Sequence, residues 1–278
     1  MFHVDNAPRS GTDEGAAAPR TSMSPEVGPT ASRRSLLLLG VLSLLPLLMF
    51  AVSAYNQRQA ALLNGEVAVK RTVQILEEHA LRVFESQRLI IDQTDQYLGD
   101  MDWNAIRASE DVHRFLQQTA EGSPHVDGLR LVPPDGRTAN SADFFPFPDV
   151  SVTDRTYFQT LQKRDELHFG EMIVGRTKGT FNFNLSRRRS PRDTFNGVIL
   201  VTSSLDYFTD FWEQASEGDF VAGIFREDGE ILVRYPHLDE LLRRLPEDSK
   251  MLDELQVADD GVYHSTSSLD GNDRIYGY

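Results

Sequence analysis

The sequence of 278 residues contains no cysteine. Disulfide staples and thiolate chemistry are therefore excluded, and stability must come from packed cores. The length suffices for one large domain or two small ones. Basic residues are also scarce. Lys and Arg number 28 against 42 Asp and Glu, a formal net charge of −14. Such an acidic chain argues against nucleic acid or anionic lipid as the main partner. The histidines His3, His79, His113, His125, His168, His237 and His264 include no pair at metal-ligand spacing. There is no G-x-S-x-G, P-loop or zincin motif. The residues imply no catalytic centre, no metal and no cofactor.

One segment departs from the average composition. Ser35 to Tyr55 carries no charge and is dominated by leucine. At about 1.5 Å per residue it matches a hydrocarbon core of about 30 Å. Arg33 and Arg34 precede it and Tyr55 closes it, which predicts a cytoplasmic N-terminus and an exterior for all that follows. Val52-Ser53-Ala54 resembles a signal-peptide cleavage site, but the apolar run and its leader exceed the usual lengths. A retained transmembrane helix over 35–55 is the expectation, at the bacterial inner membrane. Residues 1–34 are rich in Ala, Pro, Ser, Thr and Gly without apolar period, and read as a disordered tail. The tail holds four arginines and four acidic residues, so the acidic excess lies beyond the anchor.

Residues 56–101 read as a long stalk helix. Leu62, Val69, Leu76, Val83, Ile90 and Tyr97 recur every seven residues. Such a stripe seeks a partner helix, which predicts a homodimer through the stalk, or else packs on its own domain. Glu66, Gln87 and Thr94 spoil the second seam position. A second helix follows from Trp103 to about Thr119. Val126–Val132 alternates as a strand before the Pro134-Asp135-Gly136 turn. Asp154 suits the N-cap of a short helix reaching Lys163. Extended stretches follow at 167–174, 180–188 and 195–203. In the last, Val198, Leu200 and Thr202 share one face, with Ile199 and Val201 on the other, as in a strand buried on both sides.

Leu205–Ala215 then reads as a helix with Tyr207, Phe208, Phe211 and Trp212 on its apolar face. A second hairpin turns at Glu227-Asp228-Gly229, a short helix covers 236–245, and strands flank the turn at 270–273. Hairpin, helix and strands thus occur twice. The fold class expected is α+β, with two tandem PAS-like modules of antiparallel sheet. The distal module covers 102–204, and 205–278 holds a linker helix and a truncated proximal module. A final strand cut at Tyr278 leaves an edge unpaired, so the second module is expected to continue.

Several segments now match a known pattern. Asp154-Arg155-Thr156-Tyr157-Phe158 resembles the D-R-x-Y-F signature of double Cache sensor domains, also called PDC. Gly175-Arg176-Thr177-Lys178-Gly179, Leu185-Ser186-Arg187-Arg188 and Phe195-Asn196-Gly197-Val198 are similar to that family's G-R-x-x-G, L-S-R-R and F-x-G-V segments. Arg226 to Pro236 resembles its R-x-D-G-x-I-L-x-R-x-P segment. Order and spacing together, over roughly residues 57–278, carry the likeness. It implies an extracytoplasmic sensor of a small molecule, with a distal pocket and a cytoplasmic output such as a histidine kinase or diguanylate cyclase. A chemotaxis receptor is the alternative, and a membrane-anchored hydrolase a third class.

The resemblance places Arg155, Tyr157 and Phe158 at the distal pocket, with Arg176, Lys178, Phe183, Arg188 and Thr202 as further candidate ligand-binding residues. Arg offers a planar fork to a carboxylate. The structural alternative has Asp154 capping the helix while Tyr157 and Phe158 fill the core. Amino-acid binders of the family carry an Asp where Thr202 aligns. Thr202 supplies no negative charge, so a small carboxylate or other anion is the expected ligand. Arg187-Arg188-Arg189 with Arg192 reads as a solvated hairpin tip, with Arg188 alone turning inward.

Overall fold

The first helix, α1 (Arg33–Leu98), carries Pro46 within it. The computed structural model describes residues 33–215, 220–236, 244–267 and 271–278. The expected tail therefore lies almost wholly outside the described residues, as does most of the helix expected over 236–245. The chain divides into two compact units, residues 1–59 and 60–278. In the first unit, Leu42, Leu45, Leu48 and Phe50 of α1 are all exposed. An uncovered apolar surface of this kind suits lipid, where a helix satisfies its own backbone. Among the described residues, α1 alone is long and apolar enough to cross a membrane.

In the second unit, α1 supplies Val83, Ile90, Ile91 and Leu98 to the core. The heptad residues Val83 and Ile90 thus pack on their own domain, and Tyr97 stacks on Phe115 at 3.9 Å. The segment expected as one helix from Trp103 is two. They are α2 (Trp103–Ala108), capped by Asp102, and α3 (Glu110–Glu121), capped by Ser109. Ser109 breaks the run because its hydroxyl accepts from the Val112 N–H, a bond that requires extended backbone at the cap.

Strands β1 (Val126–Val132) and β2 (Asn140–Ser141) precede α4 (Thr156–Lys163). Then come β3 (His168–Phe169), β4 (Ile173–Val174), β5 (Phe181–Asn182), β6 (Asn184–Arg188) and β7 (Val198–Ser203). One antiparallel sheet runs in the order β2-β1-β7-β6-β3, and β4 pairs with β5 separately. The central strand β7 is buried along its whole length, as its two apolar faces require. One face, through Leu129, Leu131, Leu185, Ile199 and Val201, packs on α1, α2 and α3. The other packs on α4, where Val132, Val198 and Leu200 meet Tyr157, Phe158 and Leu161.

The remaining elements are α5 (Leu205–Ala215), β8 (Ala222–Phe225), β9 (Ile231–Tyr235), α6 (Lys250–Leu255), β10 (Val262–Thr266) and β11 (Asp273–Gly277). They include two hairpins, β8-β9 and β10-β11. Phe208 and Trp212 of α5 join Val83 of α1 and Leu232 and Val233 of β9 in one cluster. Hairpin β10-β11 lies close on α1: a Cβ at Gly277 would stand 2.9 Å from both Val69 and Val73.

The arginine cluster is not a solvated tip. Arg192 pairs with Asp95 at 2.9 Å and Arg187 with Asp92 at 3.1 Å. Arg189 donates to the carbonyls of Gly99 and Met101 and lies 4.8 Å from the Trp103 ring. These bonds anchor the β6–β7 connection to the end of α1.

Candidate functional site

The α4-side face of the sheet is apolar only where α4 covers it. Register aligns Val132, Val198 and Arg188 in one row, Arg130, Leu200, Ser186 and His168 in the next, and Gly128, Thr202 and Asn184 in a third. Side chains opposite each other in a ladder share a face. The second and third rows therefore set polar groups side by side on buried strands.

Residues from two loops close over these rows. Asp143, just after β2, accepts from Arg130 Nη2 at 3.1 Å and lies 3.1 Å from Lys178 Nζ. Arg130 also donates to Thr177 Oγ1 at 3.1 Å, and Lys178 to the Asp127 carbonyl at 2.8 Å. The side chains of Arg130 and Asp143 are only 16% and 12% exposed. Gly128 leaves room for this contact. A Cβ there would sit 3.2 Å from Asp143 Oδ2 and 3.7 Å from Thr202 Oγ1.

Four buried polar atoms on this face have no hydrogen-bond partner among the described residues: Arg130 Nε, Asn184 Oδ1, Thr202 Oγ1 and His168 Nε2. Buried polar groups are almost always bonded, to protein, to water or to a bound molecule, so this face offers both donors and acceptors. Burial pushes the Tyr157 hydroxyl well above its ordinary pKa, while nearby Arg130, Arg155 and Arg176 act in the opposite direction. The tyrosine thus remains a neutral donor beside three guanidinium groups. Burial likewise lowers the His168 pKa, against the pull of Glu166. Among the described residues no group of three or more His, Asp or Glu is placed to hold a metal.

The sequence candidates separate on inspection. Thr202 and Lys178 belong to the cluster. Arg155 Nη2 donates to the Val174 carbonyl at 2.9 Å, and Arg176 bonds Asp154 and the Ser151 carbonyl, so both hold the β4–β5 region near α4. Asp154 is accordingly not the cap of α4: Arg155 occupies that position, without a side-chain cap bond. Arg176 instead holds the Asp154 carboxyl below its usual pKa. Phe158 is fully buried against Phe195 and serves the core. Arg188 turns inward, but its guanidinium is used by the carbonyls of Leu161, Gln162 and Arg192. Phe183 faces away from the polar rows and packs with Phe84 and Phe208. Sequence reasoning missed Arg130, Asp143, Asn184 and His168. Arg130 had a signal: a charge between Leu129 and Leu131 in an alternating strand must lie on the opposite face.

No family model and no curated protein matches the chain. Solved structures do. The extracellular domain of rpHK1S-Z16, described as a histidine kinase, matches with a TM-score of 0.67 and 23% identity, over 78% of this chain and 89% of that one. An extracellular ligand-binding receptor from Desulfohalobium retbaense matches at 0.57 and 11%, over 72% and 36%. The ligand-binding domain of the Campylobacter jejuni chemoreceptor Tlp3, solved with L-valine, matches at 0.51 and 13%, over 78% and 87%.

Proposed function

From the fold that it shares with these extracellular domains, and from its resemblance to double Cache sensors, we propose that the chain senses a small molecule outside the cytoplasm and signals across the membrane. Residues 35–55 anchor it, 56–101 form the stalk, 102–204 bind the ligand, and 205–278 form the proximal module. The carrying observation is the set of unpartnered atoms at Arg130, Asn184 and Thr202 around the Arg130–Asp143–Lys178 cluster.

The ligand that fits is a small carboxylate with a neighbouring hydrogen-bond donor. Its carboxylate takes the Arg130 guanidinium and Lys178, displacing Asp143, and its donor meets Asn184 Oδ1 and Thr202 Oγ1. Tyr157 supplies a further donor. Binding then favours one of two packings of the distal sheet on the stalk, and a stalk dimer passes the shift inward. The likeness to a domain described as a histidine kinase's favours a kinase output. The likeness to Tlp3 supports the second reading, a chemoreceptor.

A thermal-shift panel of small carboxylates, amino acids and amines tests the binding. A carboxylate at one hundred times its Kd stabilises the folded protein by about 2.7 kcal/mol. Loss of that shift in Arg130→Ala, with the fold intact, supports the site. A shift given by amines and by no carboxylate overturns the ligand class.

A further inference from the structure

Between β3 and β6 the chain leaves the five-stranded sheet and folds back over its polar face. Residues 170–182 form this flap, with β4 and β5 paired inside it. Its base rests on β6. The Gly170 N–H donates to the Asn184 carbonyl at 2.8 Å, and a Cβ at Gly170 would stand 2.8 Å from Asn184 Nδ2. Its tip passes β7 to reach β1, where Thr177 accepts from Arg130 and Lys178 donates to the Asp127 carbonyl. The flap thus spans the candidate site from Asn184 to Arg130.

Three sets of bonds hold the flap down. Arg155 and Arg176 tie it to α4 and to the segment before α4. The tip bonds run to Arg130, Asp127 and Asp143, groups of the site itself. The third fastener comes from the second half of the domain. Glu230, only 8% exposed, accepts from the Met172 N–H at 2.9 Å. Beside it, Arg226 reaches the Phe169 carbonyl at 3.4 Å and Glu230 itself at 3.9 Å. A main-chain N–H outside a ladder needs such an acceptor. Glu230 directly precedes β9, whose Leu232 and Val233 pack with Val83 of α1.

We propose that Glu230 is a positioning residue for the distal ligand site: its hold on Met172 sets the flap 170–182 where Thr177 and Lys178 meet Arg130 and Asp143. The proposal rests on the sensing function proposed above for that site. Glu230 touches no ligand. It acts through the fraction of molecules whose flap is closed, and apparent affinity falls with that fraction. The distal module therefore borrows a residue from the proximal one. By reciprocity, a ligand that draws the flap down also favours one setting of Glu230 and of the β9 strand beside the stalk.

The test uses the full chain in lipid nanodiscs. The sequence lacks cysteine, so spin labels can be placed at Thr180→Cys on the flap and Gln117→Cys on α3, both exposed positions. Electron–electron double resonance reads the distance between them without any ligand. Glu230→Met keeps the length of the side chain and removes the acceptor, whereas Glu230→Gln keeps an acceptor. One narrow distance is expected in the parent and in Glu230→Gln, and a broadened or displaced distribution in Glu230→Met. An unchanged distribution in Glu230→Met overturns the proposal. So does equal broadening in Glu230→Gln, because charge and not the bond to Met172 would then matter. Should Glu230→Met fail to fold, Glu230→Ala gives the same readout. Calorimetry then follows glycolate, the smallest carboxylate with a neighbouring hydroxyl. Its affinity is expected to fall about tenfold in Glu230→Met and to be kept in Glu230→Gln. Equal affinity in all three proteins overturns the positioning role. Absence of glycolate binding in the parent, with the distances as expected, counts against the ligand class proposed for the site and leaves the hold of Glu230 on the flap established, so the two failures are told apart.

Discussion

Asn184 and Thr202 stand opposite each other on the β6–β7 ladder, both almost fully buried, and neither side-chain oxygen has a partner among the described residues. Leaving a buried polar group unsatisfied costs about 1–3 kcal/mol. Thr202→Val keeps the shape and removes the hydroxyl. Without ligand the variant is expected to be as stable as the parent, or more so by roughly 1 kcal/mol. Carboxylate affinity should fall about tenfold, the value of one lost bond. Denaturant melts and calorimetric titration check both halves. Destabilisation in the absence of ligand would show that the hydroxyl already serves the fold.

Arg188 predicts the opposite pattern. Its three bonds run to main-chain carbonyls, two of them in the last turn of α4, where cations are favoured. Arg188→Ala strips charge-assisted bonds from a buried site and should cost roughly 2–4 kcal/mol. Arg155→Ala, at a part-exposed residue with one carbonyl bond, should cost under about 1 kcal/mol. Equal losses in urea melts would contradict this division of labour.

Acid should weaken the junction between α1 and α5. His79 stacks on Phe211 at 3.7 Å and contacts Tyr207, which also touches His125. His79 Nδ1 and His125 Nε2 are buried without partners among the described residues, and burial lowers both pKa values. The neighbouring Arg82 adds to the shift at His79, and His79 to that at His125. A folded pKa below the unfolded one means that the unfolded chain binds the proton first. The stability is therefore full above about pH 6.5 and is lost as pH falls through the folded values. The melting temperature should drop between pH 7 and pH 5. His79→Phe, which retains the stack, should flatten that slope, and an unchanged slope would remove His79 from the account.

Much of the architecture can be read from side-chain pattern. The two apolar faces of Val198–Ser203 announce a central strand, and Phe208 and Trp212 mark the buried side of α5. Those signals are local, with the period of the element that carries them. The site is less legible because its parts are far apart in sequence. Asp143 meets Arg130 and Lys178 only after β1, β2 and the β4–β5 loop are assembled. Arg188 and Thr202 look equally available in the chain, yet the carbonyls of α4 claim the arginine and no described residue claims the threonine hydroxyl. Phe183 alternates with Leu185 on the face toward α1, so its place beside Phe84 follows from register rather than residue type.

The stalk carries a second apolar stripe distinct from the seven-residue series. Leu63, Val67, Leu81 and Leu89 are 60%, 70%, 59% and 47% exposed. At about 100° per residue these four fall within one narrow arc, opposite the arc of Val69, Val73, Ala80 and Gln87 that faces the domain. A stalk dimer should therefore meet along Leu63–Leu89, not along the Leu76–Val83–Ile90 row, which is already packed. Gln74, Glu78 and Glu85 share the exposed arc, so the seam should be weak and open to a shift by ligand. The cysteine-free sequence makes the check direct. In membranes, Leu81→Cys should form a disulfide-linked dimer under mild oxidation and Leu76→Cys should not. Cα separations under about 7 Å are needed for that bond, so efficient crosslinking reports true contact. Crosslinking at Leu76 but not Leu81 would return the seam to the heptad row and require the domain to leave it.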